Sequence, residues 1–560
     1  MKKILPAVLT ALVFLLTAAA ACASYKAIPV YDLPMSVRPA DGVGFSLTSF
    51  QNSRSDRYFF LPAYMDGQLL TLTLQEGTEL EIDGVRYANG DAARMTGGTT
   101  AQLITGRGTV PVYILSSTLP CLHLTLEEGG LDRIAEDKGH KEPAELLALS
   151  PEGVTLWSGA LKNMKGHGNA TFVFKKKSYQ IHFEEKTGLL GLTARKKFIL
   201  LANQHENSLL RNRITFDLAR AAGLRYTPEC APVDLYANGE YLGSYLLCSK
   251  IGVGSGGVDI TDAEELTEAA NGNPEQLPKA CGTRKAKSGT FKGIAWEQEP
   301  EDVTGGFLFS LEYASRYKDT TSGVVTRLRG QTIAVKSPEN MTAGQGQYLL
   351  ELLDSLERAI YDRNGMDTRT GRHYTEIISL DSFARKYLIE EISRNYDSNN
   401  SSMYFYKDSD SIDPLIYAGP VWDYDSAWGG YSGTGKTDVD PVGLFAAAKM
   451  KGHQWWPALY AQPEFLERVK TLWWTEFRPL MEVLVGDAEP WEGCGVTPIP
   501  VLAQEMDASA QMNFKRWLIL NSQDHWLKTG ATYAANIDYL TDWIRQRIAF
   551  LDKKWQINQK

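Results

Sequence analysis

The sequence predicts an α+β protein, because segments with the pattern of strands come first along the chain and segments with the pattern of helices follow. Short runs that alternate apolar and polar residues between glycine or aspartate turns include LLTLTLQEGTELEIDGVRY and PCLHLTLEEGG. From about Ala343 the apolar residues recur at helical spacing, as in QYLLELLDSLERAIYD. The 560 residues are too many for one hydrophobic core, so two or three domains are expected.

The first residues predict export rather than fold. Two lysines precede a short apolar run, and small residues lead from it to Cys22, which is the layout of a signal peptide over residues 1–22. Lipid attachment at Cys22 and cleavage for soluble release both fit this segment, and we favour lipid attachment. The mature protein would then be extracellular or on the cell surface, and would contact the bacterial membrane only through its lipid.

Composition excludes some partners and leaves the cysteines open. The formal net charge is −9, and no basic face dominates, so we expect no nucleic-acid partner. The other five cysteines form an odd set without a CxxC pair, which argues against a zinc site. A disulfide such as Cys248 with Cys281 is open in an oxidising compartment, but buried free thiols are the favoured interpretation.

The order of elements suggests two parts. Residues 24–118 are expected to form a β-rich, sandwich-like accessory module, and residues 119–560 the main domain. In the main domain, LKNMKGHGNATFVFKKKSYQIHF predicts two strands around a glycine turn. SLLRNRITFDLARAAG predicts an amphipathic helix that ends at Gly223, and APVDLYANGEYLGSYLLCSK a hairpin over Asn238–Gly239.

The rest of the main domain changes from strands to helices. Residues 261–304, rich in glycine, proline and charge, predict a long loop. GGFLFSLEY and QTIAVKSPEN predict further strands, and residues 343–560 are expected to be mainly helical. Within that part, MYFY and LIYAG predict a hairpin that leads into GPVWDYDSAWGG.

The strongest chemical signal is a series of acids around that hairpin. Asp397 lies in a polar loop before it, and Asp423 and Asp425 come directly after it. If the last segment is a strand, residues two apart face one side, and two carboxylates there repel unless a cation lies between them. Kinase-type phosphotransferases need this succession: an acid for the hydroxyl proton, then carboxylates for Mg²⁺ on the nucleotide phosphates.

Earlier features are candidates for binding the phosphates. Gly166 and Gly168 predict a turn where backbone approaches a phosphate, and one of Lys175–Lys177, expected to open the next strand, can reach the α- or β-phosphate. Arg211 opens the following helix, and its guanidinium can grip phosphate or carboxylate. Each has a simpler alternative, namely an ordinary turn, solvated lysines and a salt bridge, and the Asp-x-Asp pair can bind calcium structurally.

The sequence resembles the CotH kinase-like family of spore-coat proteins, bacterial relatives of secreted atypical kinases, from about Leu119 to the C-terminus. The resemblance rests on blocks in the right order: MKGHGNATFVFKKKSYQIHF, KKFILLANQHENSLLRNRITFDLARAAG, VDLYANGEYLGSYLL, GGFLFSLEY, VKSPEN, NYDSNNSSMYFY and GPVWDYDSAWGG. It implies a divergent protein-kinase-like fold that uses ATP with Mg²⁺ or Mn²⁺. It further implies Lys177, with Lys176 as a rival, on the phosphates, Asp397 as the catalytic acid, and Asp423 with Asp425 on the metal.

The chain departs from the family pattern where an arginine, three acids and a metal-side asparagine are usual. These positions hold His167, Asn207, Ser249, Ser310 and Ser402. Asn400 or Asn399 would substitute for the asparagine as a metal ligand.

Two functions follow as expectations. The first is an exported or surface-anchored atypical kinase that transfers the ATP γ-phosphate to protein Ser/Thr with Mg²⁺. The alternative is a catalytically weak or inactive surface binding or scaffold protein, with a glycan or surface partner reached through the N-terminal module. A glycan hydrolase is the weakest interpretation, because acids one residue apart lie closer than the roughly 5 Å that its carboxyl pair needs.

Overall fold

The computed structural model describes residues 35–204, 206–272, 279–282, 285–398, 401–430, 439–448, 455–520 and 530–556. It is a mixed α+β structure, as the sequence predicts. The predicted signal peptide with Cys22, and the two asparagines Asn399 and Asn400, lie outside these ranges. No helix within them is both long enough and apolar enough to cross a membrane.

The N-terminal part consists of two sheets that share one apolar cluster. Its strands are β1 (Ser36–Pro39), β2 (Leu47–Thr48), β3 (Phe50–Gln51), β4 (Arg57–Leu61), β5 (Gln68–Thr73), β6 (Glu79–Ile82), β7 (Val85–Tyr87), β8 (Ala92–Met95), β9 (Thr100–Thr105) and β10 (Gly108–Ser116). One sheet has the order β2-β1-β5-β8 and the other β3-β4-β10-β9-β6-β7. Leu72 of the first and Phe59 of the second are buried in the same cluster, which also takes in Tyr236 and Met512 from later in the chain. The core of this part is therefore continuous with the rest of the molecule.

A closed seven-stranded barrel follows. Its strands are β11 (Cys121–Thr125), β12 (Glu142–Leu149), β13 (Thr155–His167), β14 (Ser178–Leu189), β15 (Leu192–Leu201), β16 (Cys230–Ala237) and β17 (Glu240–Ser249), in the order β11-β12-β13-β14-β15-β17-β16. The parallel pairing of β11 with β16 closes it. Alternate residues of β14, namely Tyr179, Ile181 and Phe183, are buried in the barrel core, as the two-residue period of a strand requires.

Two local predictions in this region are confirmed. Besides the short helix α1 (Gly130–Glu136), the region contains α2 (Arg211–Ala221), where the sequence predicts an amphipathic helix. β16 and β17 form the predicted hairpin, and both of its turn residues, Asn238 (φ 48°) and Gly239 (φ 82°), are left-handed. This is the conformation that a two-residue hairpin turn of matching twist needs.

The connection between β13 and β14 differs from the prediction. β13 ends at His167 and β14 begins at Ser178, and a short 3₁₀ turn covers Ala170–Val173. The prediction that the three lysines open the strand is therefore wrong, because they precede it. Phe172, whose spacing resembles that of a strand, folds back against Gly166, where an added Cβ would lie 2.5 Å from its ring. Residues 168–177 are called the β13–β14 connection below.

A second large sheet lies after the barrel. Its region contains helix α3 (Ala263–Asn271) and strands β18 (Lys279–Gly282), β19 (Thr290–Ile294), β20 (Phe307–Leu311), β21 (Ser322–Val325), β22 (Thr332–Ser337), β23 (Met366–Asp367), β24 (Arg372–His373), β25 (Tyr404–Lys407) and β26 (Ile416–Ala418). The seven-stranded sheet has the order β18-β19-β21-β22-β20-β25-β26, and β23 pairs with β24 alone. β25 and β26 are the hairpin that the sequence predicts.

The prediction of a long loop over residues 261–304 is wrong, since this range contains α3, β18 and β19. The carboxylate of Asp262 caps α3 by accepting the N–H of Glu265 at 3.1 Å. β19 is a strand because β21 lies beside it. A partner that is distant in the sequence leaves no local pattern, which explains the error.

Helices dominate the last part of the chain. They are α4 (Ala343–Tyr361), α5 (Leu380–Ser393), α6 (Trp455–Tyr460), α7 (Pro463–Leu472), α8 (Arg478–Leu484), α9 (Ile499–Arg516) and α10 (Tyr533–Lys554). Thr342 and Gln345 form a capping box that begins α4. Cys121, Cys230, Cys248 and Cys494 are free thiols, and all but the partly buried Cys230 are buried, which confirms the favoured interpretation for those three. The side chain of Cys281 lies outside the described part.

Candidate active site

A cavity of about 600 Å³ lies between the barrel and the seven-stranded sheet. The end of β13 and the β13–β14 connection form one side of it. The other side consists of residues from β20, β22 and β25, the turn after α5 and the segment after β26. The cavity therefore gathers parts of the chain that carry most of the predicted site residues.

Three aspartates from two loops line this cavity: Asp397, Asp423 and Asp425. Helix α5 ends at Ser393, and the left-handed Arg394 (φ 49°) turns the chain towards Asp397. The Tyr313 hydroxyl donates to Oδ1 of Asp397 at 3.4 Å. No sequence pattern points to Tyr313, which follows β20 in an irregular segment.

Asp423 and Asp425 reach the cavity from an irregular segment, so the strand geometry considered for GPVWDYDSAWGG does not apply. Asp423 has a left-handed backbone (φ 70°), which is uncommon outside glycine. The Ser402 hydroxyl donates to its Oδ2 at 2.9 Å. Such strained conformations persist only where the surrounding structure enforces them, and they concentrate at functional sites.

The three carboxylates disfavour one another's charge. Burial raises the pKa of Asp397 to about 8, and the charges of Asp423 and Asp425 add to the effect. Burial likewise raises the pKa of Asp425 to about 6, with a contribution from Glu206. A cation placed among these oxygens would remove the repulsion and restore the ionised forms.

The donor set fits a hard divalent cation that arrives with its substrate. Within the described ranges, no three His, Cys, Asp or Glu side chains are grouped closely enough to hold a metal ion by themselves. Mg²⁺ is usually held by one or two carboxylates, and waters and substrate phosphates complete its six oxygen ligands. Asp423 and Asp425 would supply the protein oxygens. The predicted ligand Asn400 lies outside the described residues.

The two lysines that the resemblance places on the phosphates both have partners within the protein, and only Lys176 lines the cavity. The ammonium of Lys177 donates to the Phe172 carbonyl at 2.5 Å and lies 4.6 Å from the centre of its ring, and Lys177 is not part of the cavity wall. The ammonium of Lys176 donates to the Ser244 carbonyl at 2.5 Å and to Oδ1 of Asn513 at 2.8 Å. Its burial lowers the pKa of Lys176 to about 7.

Arg211 makes the salt bridge that was its simpler alternative. It lies in the first turn of α2, and its guanidinium pairs with Glu206 at 3.2 Å, where both side chains are buried. Glu206 also accepts the backbone N–H groups of Leu209 and Arg211 at 2.6 and 2.8 Å. Sequence reasoning missed Glu206 and considered the neighbouring Asn207 instead. An acid just before a helix start was the available signal.

Gly166 and Gly168 do line the cavity, as predicted. Gly168 is left-handed (φ 97°), and an added Cβ would lie 2.4 Å from the Thr171 hydroxyl. The Phe172 ring thus covers Gly166 and the Thr171 hydroxyl lies against Gly168, so both glycines leave room for side chains of the protein itself. Between the two glycines, burial lowers the pKa of His167 to about 4 and keeps its ring neutral.

The other departures from the family pattern have different surroundings. The Ser249 hydroxyl accepts the N–H of Glu229 at 3.0 Å and so joins strand ends. Ser310 lines the cavity. Asn207 is buried, and neither polar atom of its amide has a hydrogen-bond partner within the described part.

Comparison with protein families decides the assignment. The model described as CotH kinase protein matches residues 164–263 and 327–551, together more than half of the chain. The chain belongs to the CotH kinase family. Both sides of the cavity fall largely within the matched ranges, whereas the two N-terminal sheets precede them. The comparison with curated proteins gave no match.

Proposed function

We propose that this CotH family member is an exported or surface-anchored phosphotransferase. It transfers the γ-phosphoryl group of ATP to serine or threonine hydroxyls of a protein, with Mg²⁺ or Mn²⁺ as the metal, on a divergent kinase-like fold. Lipid on Cys22 would hold it at the cell surface. The observation that carries the proposal is the convergence of Asp397, Asp423 and Asp425 in one cavity beside a glycine turn.

Each aspartate has a role that follows from its surroundings. Asp397 accepts the proton of the attacking hydroxyl once the cation has restored its ionised form, and its burial makes that carboxylate a stronger base than an exposed aspartate. Asp423 and Asp425 hold the divalent cation, whose positive charge offsets the negative charge on the transferring phosphate. Gly166 and Gly168 would form the turn that faces the nucleotide phosphates, because both line the cavity.

The second candidate function is a binding or scaffold protein that keeps the nucleotide site but transfers phosphate slowly or not at all. Ser402 favours it, because its hydroxyl bonds to Asp423 where the family has a metal-side asparagine. A glycan or surface partner on the N-terminal sheets would then be the main ligand.

Phosphate transfer to a protein panel and to the enzyme itself, with Mg·ATP or Mn·ATP, separates the two functions. Asp397→Asn and Asp423→Asn should each lower the rate by about 10²–10³-fold, the usual loss for one electrostatic contact to a transition state. The control is Asp487→Asn, which removes a surface carboxylate paired with Arg545. If ATP stabilises the folded wild type but no phosphate is transferred, the scaffold function is favoured. If ATP gives neither stabilisation nor transfer, the nucleotide site is refuted.

A further inference from the structure

The cavity also carries three lysines that no predicted role has used. They are Lys165 on β13, Lys250 directly after β17, and Lys336 on β22, and all three line the cavity. The barrel thus supplies two of them and the seven-stranded sheet the third. We call these three residues the lysine cluster.

Within the described residues, no hydrogen bond or ion pair reaches the ammonium group of any of the three lysines. The other lysines near the cavity differ in this respect. Lys138 donates to the Gly168 carbonyl at 2.8 Å and to Oδ1 of Asn169 at 3.0 Å, and Lys176 and Lys177 have carbonyl acceptors. The lysine cluster therefore has donors to offer a ligand.

The charges of Lys165 and Lys250 also lie close enough to act on each other. Burial lowers the pKa of Lys250 to about 8, and the charges of Lys197 and Lys165 lower it further. The pKa of His167 on the glycine turn is lowered by burial and then by Lys250, Lys138 and Lys165. Like charges held together in this way favour an anion between them.

The third member faces a mixed environment. Burial lowers the pKa of Lys336, while the charges of Glu312 and Glu339 oppose that change. Glu312 itself lines the cavity. Lys336 therefore brings a positive charge to the cavity from the sheet side, next to the carboxylate of Glu312.

One class of ligand satisfies both the lysines and the aspartates. A single carboxylate or phosphate would pair with the lysines but would be repelled by the three aspartates. A polyphosphate chain with a bound divalent cation meets both, because its oxygens accept from ammonium groups and its metal takes carboxylate ligands. The longer the chain, the more of these contacts it makes.

We propose that Lys165, Lys250 and Lys336 bind the phosphate chain of the nucleotide, in place of the Lys177 that the family resemblance indicates. The inference rests on the proposed function, since it assumes that the cavity takes Mg·ATP. It adds that affinity follows phosphate number in the order ATP, ADP, AMP. It also requires that inorganic tripolyphosphate with Mg²⁺ binds without a nucleoside.

Calorimetric titration of the full chain with Mg·ATP and with Mg-tripolyphosphate tests the assignment. Lys165→Met, Lys250→Met and Lys336→Met should each weaken both ligands by about tenfold or more, the usual effect of a lost charged hydrogen bond. Lys250→Arg should retain most of the affinity. Lys186→Met is the control, because Lys186 on β14 is exposed and does not line the cavity. It should change affinity by less than about twofold, as expected for a screened surface charge.

Wild-type affinity in the three methionine variants would overturn the assignment, and so would a larger loss in Lys177→Met than in Lys250→Met. Unchanged melting of the unliganded variants shows that they fold, and the arginine series replaces any methionine variant that does not. If the wild type binds tripolyphosphate but transfers no phosphate, and the methionine variants lose this binding, the lysine cluster is supported and the transferase is refuted. Transfer by the wild type with unaffected variants refutes the cluster alone. A third outcome is that the wild type binds a polyglutamate peptide without metal and the methionine variants do not, while wild type and variants bind nucleotides equally well. This outcome would assign the lysines to an acidic protein substrate and overturn the proposal.

Discussion

At the scale of single residues, Asp423 combines an unfavourable backbone conformation with electrostatic repulsion from its neighbours. Its backbone is left-handed, its carboxylate accepts a hydrogen bond from Ser402, and its charge helps to raise the pKa of Asp397. Asparagine tolerates the same backbone conformation and the same hydrogen bond but carries no charge. A substitution can therefore remove the repulsion and leave the geometry in place.

Asp423→Asn should stabilise the metal-free protein by about 1 kcal/mol, since one pKa unit of relieved repulsion is worth roughly that much. The same variant should lose the extra stabilisation that Mg·ATP gives the wild type. Urea unfolding with and without Mg·ATP measures both effects. A metal-free variant less stable than the wild type would contradict the interpretation of the three aspartates as a cation site.

Some site residues could be predicted from the sequence and others could not. Asp397 and the Asp-x-Asp pair stand in a recognisable order beside a hairpin, and they do line one cavity. Lys177 could not be placed correctly, because the direction of a side chain in an irregular turn has no sequence period. The lysine cluster comes from strands far apart in the chain, so only the fold brings it together.

At the scale of elements, the start of α2 depends on one buried acid. Glu206 accepts two backbone N–H groups of the first turn and pairs with the buried Arg211. The unpaired N–H groups at a helix start favour negative charge. Glu206 therefore links the helix to the site, because its charge also raises the pKa of Asp425.

Glu206→Gln should lower the free energy of unfolding by about 3 kcal/mol, because it leaves the buried Arg211 charge without a counter-ion. Glu240→Gln is the control, since it removes a pair with Arg516 in which the Glu240 side chain is 49% exposed. The control should cost less than about 1 kcal/mol. Equal losses in urea unfolding would show that the Glu206 pair is not special.

The contact of β11 with the β16–β17 turn makes stability depend on pH. Nε2 of His123 accepts the N–H of Gly239 at 3.1 Å, and the His123 ring stacks on Phe45 at 4.0 Å. Burial lowers the pKa of His123 to about 4 from its ordinary 6.5. The unfolded chain therefore binds more protons between these values, and stability falls as the pH drops from 6.5 towards 4.

His123→Gln removes the titration and keeps an acceptor for Gly239. Over that pH window the wild type should lose on the order of 1–3 kcal/mol more than the variant. Melting temperatures measured from pH 7 to pH 4 give the comparison. Parallel curves for the two proteins would exclude a role for His123.

Element predictions failed where neighbours rather than local pattern decide. The hairpin over Asn238–Gly239 was predictable, because its turn residues and alternation are local. The structure over residues 261–304 was not, since β19 exists through its pairing with β21. The β13–β14 connection shows the opposite error, because Phe172 and its neighbours have the sequence pattern of a strand but no neighbouring strand to pair with.

At the scale of the whole molecule, one carboxylate joins three parts of the chain. Asp234 on β16 accepts hydrogen bonds from Tyr241 at 2.8 Å and from Ser509 of α9 at 2.7 Å, and also from Ser117, which follows the N-terminal sheets. Its burial raises its pKa. The apolar cluster of the N-terminal sheets extends to the same region through Tyr236 and Met512.

These shared contacts predict that the N-terminal sheets do not unfold separately. Scanning calorimetry of the full chain should show one transition that includes them. Asp234→Ala should move that transition down, because it leaves three buried donors without their acceptor, at about 1–3 kcal/mol each. A separate early transition of the wild type, assigned to residues 35–118 by proteolysis, would contradict this.

The α+β class and the family were within reach of the sequence, while the closed barrel was not. Closure depends on the parallel pairing of β11 with β16, which no turn signal connects. The strand segments themselves were visible, but their partners were not.

The buried ammonium of Lys176 has a mechanical consequence. It holds the end of the β13–β14 connection to the Ser244 carbonyl and to Asn513 of α9. The connection therefore cannot move outward without breaking the buried hydrogen bonds of the Lys176 ammonium group. The floor of the cavity is thus fixed in advance, and any adjustment that admits a bulky ligand falls to the sheet side and its loops.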